Sequence, residues 1–252
     1  DTTIGNITAT ATETAAATNQ TTVDASDLVD LNAKVDTFNI ASVTTITEAY
    51  NTVDLTTEVL AAEALKEGAN VEITGGAISA ANLNTLASDT TIGNITATAT
   101  ETAAATLVGL TTTNTDMITV TMASASTAAA DLNTIDGKTG TAVNATAITA
   151  LTGAASDVKT ALASTGITTV TGSLAVNVSG NTSVADINTI NADTATGVVT
   201  ATASETDATT LVTLTTTSND AITVTMAAAS TAATDLNTID LATGTAVNAT
   251  AI

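Results

Sequence analysis

Several residue types are missing from this 252-residue sequence. It contains no cysteine, proline, histidine, arginine or tryptophan, and its aromatic residues are one Phe and one Tyr. Without cysteine, the chain has no disulfide framework and no thiol chemistry. Without histidine and cysteine, it also has no Ser-His-Asp triad, no cysteine nucleophile and no histidine-ligated zinc site. We therefore expect a protein that is not an enzyme.

Positive charge is equally scarce. Lysine and arginine together number 4 against 25 acidic residues, which gives a formal net charge of −21. Phosphate groups repel such a chain, so we expect neither nucleic acid nor an anionic membrane surface as a partner. No apolar run reaches 18 residues, so the sequence predicts no membrane span. The acidic composition favours an extracellular, cell-surface location.

The sequence contains long internal repeats. The sequence of 97–148 returns at 201–252 with scattered changes, and that of 1–18 returns at 89–106. The superperiod is therefore 104 residues, and a unit of about half that length recurs around Leu/Ile-Asn pairs. We predict one repeat domain over 1–252, irregular in 19–70 and regular in 71–148 and 175–252.

Two kinds of segment alternate within each repeat. Stretches such as 91–99, 117–123, 197–203 and 221–227 alternate Val or Ile with Thr, which is typical of strands. Between them, short stretches place apolar residues three apart, as at Leu132 and Ile135, which is typical of one helix face. The pattern predicts a β-solenoid of parallel coils of about 25 residues with short helical or 3₁₀ edges, in a leucine-rich-repeat-like plan. One decorated coil would carry a longer helix near 47–68.

Repeated acidic residues are candidate calcium ligands. They are Asp131, Asp136, Asp193, Asp235 and Asp240. Carboxylates and turn carbonyls are the ligands that calcium prefers. The alternative is that the first Asp of each pair caps a helix and the second aids solubility. Calcium is the one cofactor that the sequence indicates.

Repeated polar residues suggest two structural rows. The asparagines Asn84, Asn133, Asn188 and Asn237 recur in the Leu/Ile-Asn pairs and would form a ladder, each amide bonding to the backbone of the next repeat. Otherwise they are ordinary polar turn residues. A surface ladder of threonines is predicted at Thr96, Thr98, Thr119, Thr121, Thr200, Thr202, Thr223 and Thr225. A regular threonine array could bind ice, or threonine is simply a good outward strand residue.

The strings DLNTIDGKTGTAVNATAITALTGAASDVKTALASTGIT and ADINTINADTATG carry a resemblance. They resemble Ala/Thr-rich repeats of giant secreted cell-surface proteins, adhesin-like and hemolysin-type, of marine cyanobacteria and related bacteria. The resemblance covers 70–252 well and 19–70 poorly. It implies secretion, calcium and surface display, although the glycine-rich calcium-binding nonapeptide of hemolysin-type proteins does not occur here.

Together these features predict a structural role. We expect a repeat segment of an extracellular filament, surface layer or adhesin stalk that assembles by stacking coils end to end, within a homopolymer or a longer parent chain. The alternative is a module that binds ice, a glycan or a mineral through a threonine-rich or acidic face.

Overall fold

The computed structural model describes residues 21–34, 40–50, 55–169, 173–194 and 196–252. The chain divides into two compact units. Unit 1 comprises residues 1–102, 109–120 and 137–141, and unit 2 comprises residues 103–108, 121–136 and 142–252.

Unit 1 alternates strands with helices. In chain order its elements are β1 (Thr22–Asp24), α1 (Ala25–Lys34), β2 (Thr45–Ala49), α2 (Leu55–Glu63), β3 (Asn70–Ile78), α3 (Ala80–Ala87), β4 (Ile95–Ala99) and β5 (Met117–Thr119). The five strands form one sheet in the order β1-β2-β3-β4-β5, and every neighbouring pair is parallel. Each helix supplies the crossover that a parallel pair requires.

The register of this sheet places apolar residues opposite one another. Val23 pairs with Ile46, Ile46 with Val71, and Val71 with Ile95. Ile46, Val71 and Ile95 are buried, and the residues that alternate with them in β4 are exposed threonines. The period-2 pattern therefore gives each strand one face toward the core and one toward solvent.

Unit 2 has the same alternation over a longer stretch. Its elements are α4 (Ala104–Leu107), β6 (Ser126–Ala128), α5 (Ala129–Asp136), β7 (Val143–Ala145), β8 (Ala150–Ala154), α6 (Ala155–Ala163), β9 (Ile167–Thr169), β10 (Ala175–Thr182), α7 (Val184–Thr194), β11 (Val199–Ala203), α8 (Ala208–Leu211), β12 (Ala221–Thr223) and α9 (Ala233–Leu241). Five strands form a parallel sheet in the order β12-β11-β10-β8-β6, and β7 pairs with β9 in a small second sheet.

The 104-residue superperiod is visible in the strand pairing of each unit. In unit 1, Ala97 pairs with Ile118, and in unit 2, Ala201 pairs with Ile222 at the same relative register. The preceding strand is irregular in both units, because β3 and β10 each shift register partway along. A glycine with positive φ lies in each irregular stretch, Gly75 at 75° and Gly180 at 76°. Glycine adopts this left-handed conformation without a Cβ penalty.

The helices dock through leucine and isoleucine three residues apart. Leu83 and Leu86 of α3, like Leu132 and Ile135 of α5, are fully buried. This spacing places both side chains on one face, which covers the sheet. The helical face predicted at Leu132 and Ile135 is confirmed.

The predicted fold class, a β-solenoid with a leucine-rich-repeat-like plan, is wrong. The described residues form an α/β fold with nine helices and parallel sheets of five, five and two strands, and they contain no closed or coiled solenoid. The physical reason lies in the connecting segments. Six of them were predicted to be short helical or 3₁₀ edges. Stretches such as Ala129–Asp136 and Val184–Thr194, however, carry apolar residues at helical spacing and complete two or more α-helical turns.

The predicted long helix at 47–68 is also wrong. Residues 45–49 form strand β2, and among the described residues of this segment the helix spans Leu55–Glu63. Thr45, Ile46 and Thr47 are β-branched and alternate in burial, which favours pairing with β3 over a helical turn.

Parts of three predictions lie outside the described residues. They are the first copy of the repeat at 1–18 and two further segments whose sequences predict strands, 37–43 and 167–178, of which residues 37–39 and 170–172 are not described.

Candidate functional site

The predicted calcium ligands all lie in unit 2, but they are separated along its helices. Asp131 and Asp235 lie in the first turns of α5 and α9 and are half-buried, whereas Asp193 and Asp240 are exposed. Asp136 accepts a hydrogen bond from the Ser164 hydroxyl at 2.9 Å. Within the described residues, no group of three or more acidic side chains is placed to hold a metal ion. The calcium site therefore stays a prediction.

Two of the predicted asparagines fasten neighbouring repeats together. The Asn84 amide donates to the carbonyl of Gly109 at 2.9 Å, and its oxygen accepts the backbone N–H of Thr111 at 2.8 Å. Asn188 makes the same two bonds in unit 2, both at 2.8 Å. Each side chain satisfies a carbonyl and an N–H of the following repeat, rather than bonding to another asparagine.

The other two asparagines differ from this pair and from each other. Asn133 donates to the carbonyl of Asp157 at 3.0 Å, and its buried oxygen has no hydrogen-bond partner among the described residues. Asn237 occupies the equivalent position 104 residues later, where it is exposed. The two copies of this position therefore have different surroundings.

The predicted surface threonines point outward. Seven of the eight are exposed, and Thr202 is half-buried. In unit 1, Thr98 lies directly opposite Thr119, and in unit 2, Thr202 lies opposite Thr223. Other residues interrupt both rows. Thr96 lies between Glu72 and Met117, for example, and so the array mixes hydroxyls with a carboxylate and a thioether.

Sequence reasoning missed a buried aspartate at the start of a strand in each unit. Asp116 is 6% exposed, and its two oxygens accept the backbone N–H groups of Ile95 and Thr113, each at 2.8 Å. Asp220 is 4% exposed and binds the N–H groups of Val199 and Thr217 at 2.9 and 2.8 Å. Each carboxylate thus joins the first residue of one strand to the turn before the next.

A threonine continues this arrangement one repeat further on. The Thr139 hydroxyl accepts the N–H of Ile118 at 2.9 Å and donates to the Ile118 carbonyl at 2.7 Å. Thr243 makes the same pair of contacts with Ile222 in unit 2. The sequence did carry a signal, because both the aspartate and the threonine recur 104 residues later. A polar residue that is buried needs hydrogen-bond partners, so such a recurrence indicates a structural contact.

Two glutamates were missed in the same way. Glu101 accepts the N–H of Ala80, the first residue of α3, at 2.8 Å. Glu205 accepts the N–H of Val184, the first residue of α7, at 3.0 Å. A carboxylate at a helix N-terminus satisfies a free N–H group and interacts favourably with the helix dipole. Here the capping residue comes from the following repeat, so it also links two repeats.

Glu48 is the most unusual carboxyl group of unit 1. It is 4% exposed, and its Oε2 atom has no hydrogen-bond partner among the described residues. Burial, together with the nearby negative charges of Asp24 and Glu58, raises the pKa of Glu48. The charged form of this side chain therefore opposes folding.

Unit 1 also contains a polar cleft with a volume of about 300 Å³. Residues at the end of α3, the turn before β4 and the segment before β5 line it. Its polar lining includes Asp89, Thr90, Asn94, Thr113 and Thr115. Two hydrogen bonds from Thr91 lower the pKa of Asp89, so a charged carboxylate lies at this cleft at neutral pH.

No protein-family model, curated protein or solved structure matches this chain. Each helix in the described ranges is too short or too polar to cross a membrane.

Proposed function

We propose that this chain is a structural, non-catalytic repeat segment of an extracellular filament, surface layer or adhesin stalk. It would act within a longer parent chain or a homopolymer, by presenting a series of repeats that resists separation. The composition and the resemblance to repeats of giant cell-surface proteins support this proposal, and so do the contacts between repeats.

The observation that carries the proposal is the use of polar side chains between repeats. Asn84, Glu101 and Asp116 of unit 1 each bond to backbone atoms 21 to 27 residues away. Three equivalent residues of unit 2 do the same. Separating two repeats therefore requires breaking these bonds together with the parallel strand pairing.

The energies involved favour a mechanical role. Hydrogen bonds to charged groups contribute about 1.5–3 kcal/mol each, roughly twice as much as neutral ones. Two such carboxylates in each unit, in addition to the strand ladder, would raise the barrier to peeling one repeat from the next. This is the property that a filament or stalk needs.

The charge of the chain is consistent with an extracellular setting. With a net charge of −21, neighbouring copies repel one another unless salt or divalent cations screen them. We propose calcium as the cation of that setting, bound at the acidic surface that includes Asp193 and Asp240.

Immunogold labelling of the producing cells tests the proposal. Antibodies raised against the chain should label filaments or a layer on intact, unpermeabilised cells. Labelling that appears only after permeabilisation would overturn the extracellular assignment.

The threonine face and the polar cleft favour a second candidate, a surface-binding module. Exposed hydroxyls lie opposite one another at Thr98 and Thr119, and the cleft near Asp89 and Asn94 offers hydroxyl, amide and carboxylate groups of the kind that bind sugar hydroxyls. A glycan is the better candidate ligand for the cleft, and ice is the better candidate for the threonine rows.

Glycan-array binding and inhibition of ice recrystallisation test this second candidate. Asn94→Ala should abolish glycan binding without affecting ice, and a Thr98→Lys, Thr119→Lys variant should do the reverse. If the wild-type protein shows neither activity at micromolar concentration, the binding-module hypothesis fails.

A further inference from the structure

Unit 2 contains two copies of one sequence in different surroundings. Helix α9 and residues 247–252 repeat helix α5 and residues 143–148 at a distance of 104 residues. In the first copy, Leu132, Val143 and Ala145 are fully buried, and Ile148 is 3% exposed. In the second copy, the residues equivalent to the first three are half-buried, and Ile252 is 47% exposed.

A strand–helix–strand repeat explains the burial of the first copy. Residues 149–169 supply β8, α6 and β9. Strand β8 pairs with β6 in parallel, and β9 pairs with β7. Helix α6 packs against α5. The surface of the first copy is thus covered by two strands and a helix.

The second copy lacks that cover within the described residues. Residues 230–232, which correspond to β6, form no strand, and residues 247–249, which correspond to β7, make a single bridge through Asn248. Ala233 at the start of α9 is exposed, whereas Ala129 at the start of α5 is fully buried. The second copy therefore has the apolar sequence of a core segment, but its apolar side chains on this face are half-buried or exposed.

We propose that the face formed by α9 and residues 247–252 docks one further strand–helix–strand repeat of the kind formed by residues 149–169. This inference rests on the proposed structural function, and it identifies the surface through which the repeat array is extended. We name this surface the α9 face.

Polar residues on the α9 face specify the chemistry of the occupant. In the first copy, the Asn133 amide donates to the carbonyl of Asp157, which lies in the first turn of α6. Asn237, its equivalent, is exposed on the α9 face, and its side-chain amide has no hydrogen bond among the described residues. The occupant must therefore place a helix N-terminal carbonyl above Asn237.

A second polar contact further restricts which kind of repeat can occupy the α9 face. Asp136 accepts the Ser164 hydroxyl at 2.9 Å, and a Cβ atom at Gly166 would lie 2.1 Å from Asp136 Oδ1. A repeat that covers Asp240, the equivalent of Asp136, should therefore carry Ser-x-Gly at the end of its helix. Helix α1, which follows β1, also begins with Ala-Ser-Asp, but Lys34-Val35-Asp36 stand at the positions of Ser-x-Gly. A repeat like that of residues 149–169 is therefore favoured as the occupant over β1 and α1 of a second copy of this chain.

Amide hydrogen exchange on an extended chain tests the inference. The full chain is compared with the same chain carrying residues 149–169 again after Ile252. A matched control extension has aspartate at the two positions equivalent to Leu151 and Val158. Docking predicts that amides of α9 and residues 247–249 exchange at least about tenfold more slowly in the extended chain than in the other two, because the added repeat must first open.

Two results would overturn the inference. Equal exchange in all three chains would show that the α9 face does not bind such a repeat. Protection that rises with the concentration of the unextended chain, and that the extension does not increase, would identify a second copy as the occupant. Neither result bears on the cell-surface labelling that tests the proposed function, so the two can fail separately.

Discussion

Replacing Asp116 with alanine should destabilise unit 1 strongly. In the folded chain the carboxylate accepts two backbone N–H groups, those of Ile95 and Thr113, each at 2.8 Å, and the Thr113 hydroxyl at 3.1 Å. Ile95 is 2% exposed, so its N–H group would be left buried without a partner. Thr113 is exposed, so water can replace the lost bonds there.

The magnitude follows from these partners. Leaving one buried N–H group unsatisfied costs about 1–3 kcal/mol, and losing a charge-assisted bond at the half-solvated end adds about 1 kcal/mol. We therefore expect Asp116→Ala to lower the free energy of unfolding of unit 1 by about 2–4 kcal/mol. Asp116→Asn should cost less, because its amide oxygen can still accept the buried N–H of Ile95, while water can satisfy the N–H of the exposed Thr113.

Urea denaturation combined with site-resolved hydrogen exchange measures this effect. The Ile95 amide should lose its protection in Asp116→Ala. Asp240→Ala is the matched control, since Asp240 is exposed and surface substitutions usually change stability by less than about 0.5 kcal/mol. If Asp116→Ala and Asp240→Ala have the same effect, the buried carboxylate does not hold the repeats together.

Four further substitutions have expected outcomes. Glu48→Gln should stabilise the protein at pH 7 and lose this advantage in pH-dependent denaturation as the pH falls below the ordinary pKa of glutamate, because burial raises the pKa of Glu48 in the folded chain and the cost of its charge disappears once the carboxyl is protonated in both the folded and the unfolded state. Lys159→Gln should cost no more than about 1 kcal/mol at pH 7, and less in high salt or below the usual pKa of aspartate, because Lys159 lowers the pKa of the one-third-exposed Asp186. Leu132→Ala should cost about 2–5 kcal/mol in thermal or urea unfolding, and Leu236→Ala less than half of that, since only Leu132 is fully buried. Equal losses at the two leucines would contradict the difference between the copies.

The sequence was a good guide to the individual strands. The alternation of Val or Ile with Thr located β4, β5, β11 and β12, because each of these strands buries one face and exposes the other. The same alternation failed to exclude a helix at 47–49. There, Glu48 occupies a buried position that an apolar residue would normally fill, and the strand pattern is hidden.

The fold class could not be predicted from the sequence, for a physical reason. A short alanine-rich segment can form either a tight edge or two turns of helix, and the neighbouring sheet decides which. The site residues were partly predictable. Asn84 recurs in a recognisable pair, whereas the burial of Asp116 depends on a strand 21 residues earlier that the local pattern does not show.

Single-molecule stretching of the full chain tests the central claim most directly. If polar side chains fasten successive repeats, the wild-type protein should unfold in discrete events at forces that fall clearly in a variant carrying both Asp116→Ala and Asp220→Ala. The Asp240→Ala control should unfold at wild-type force. Gradual extension without discrete events, or identical forces in the double variant and the control, would contradict the account.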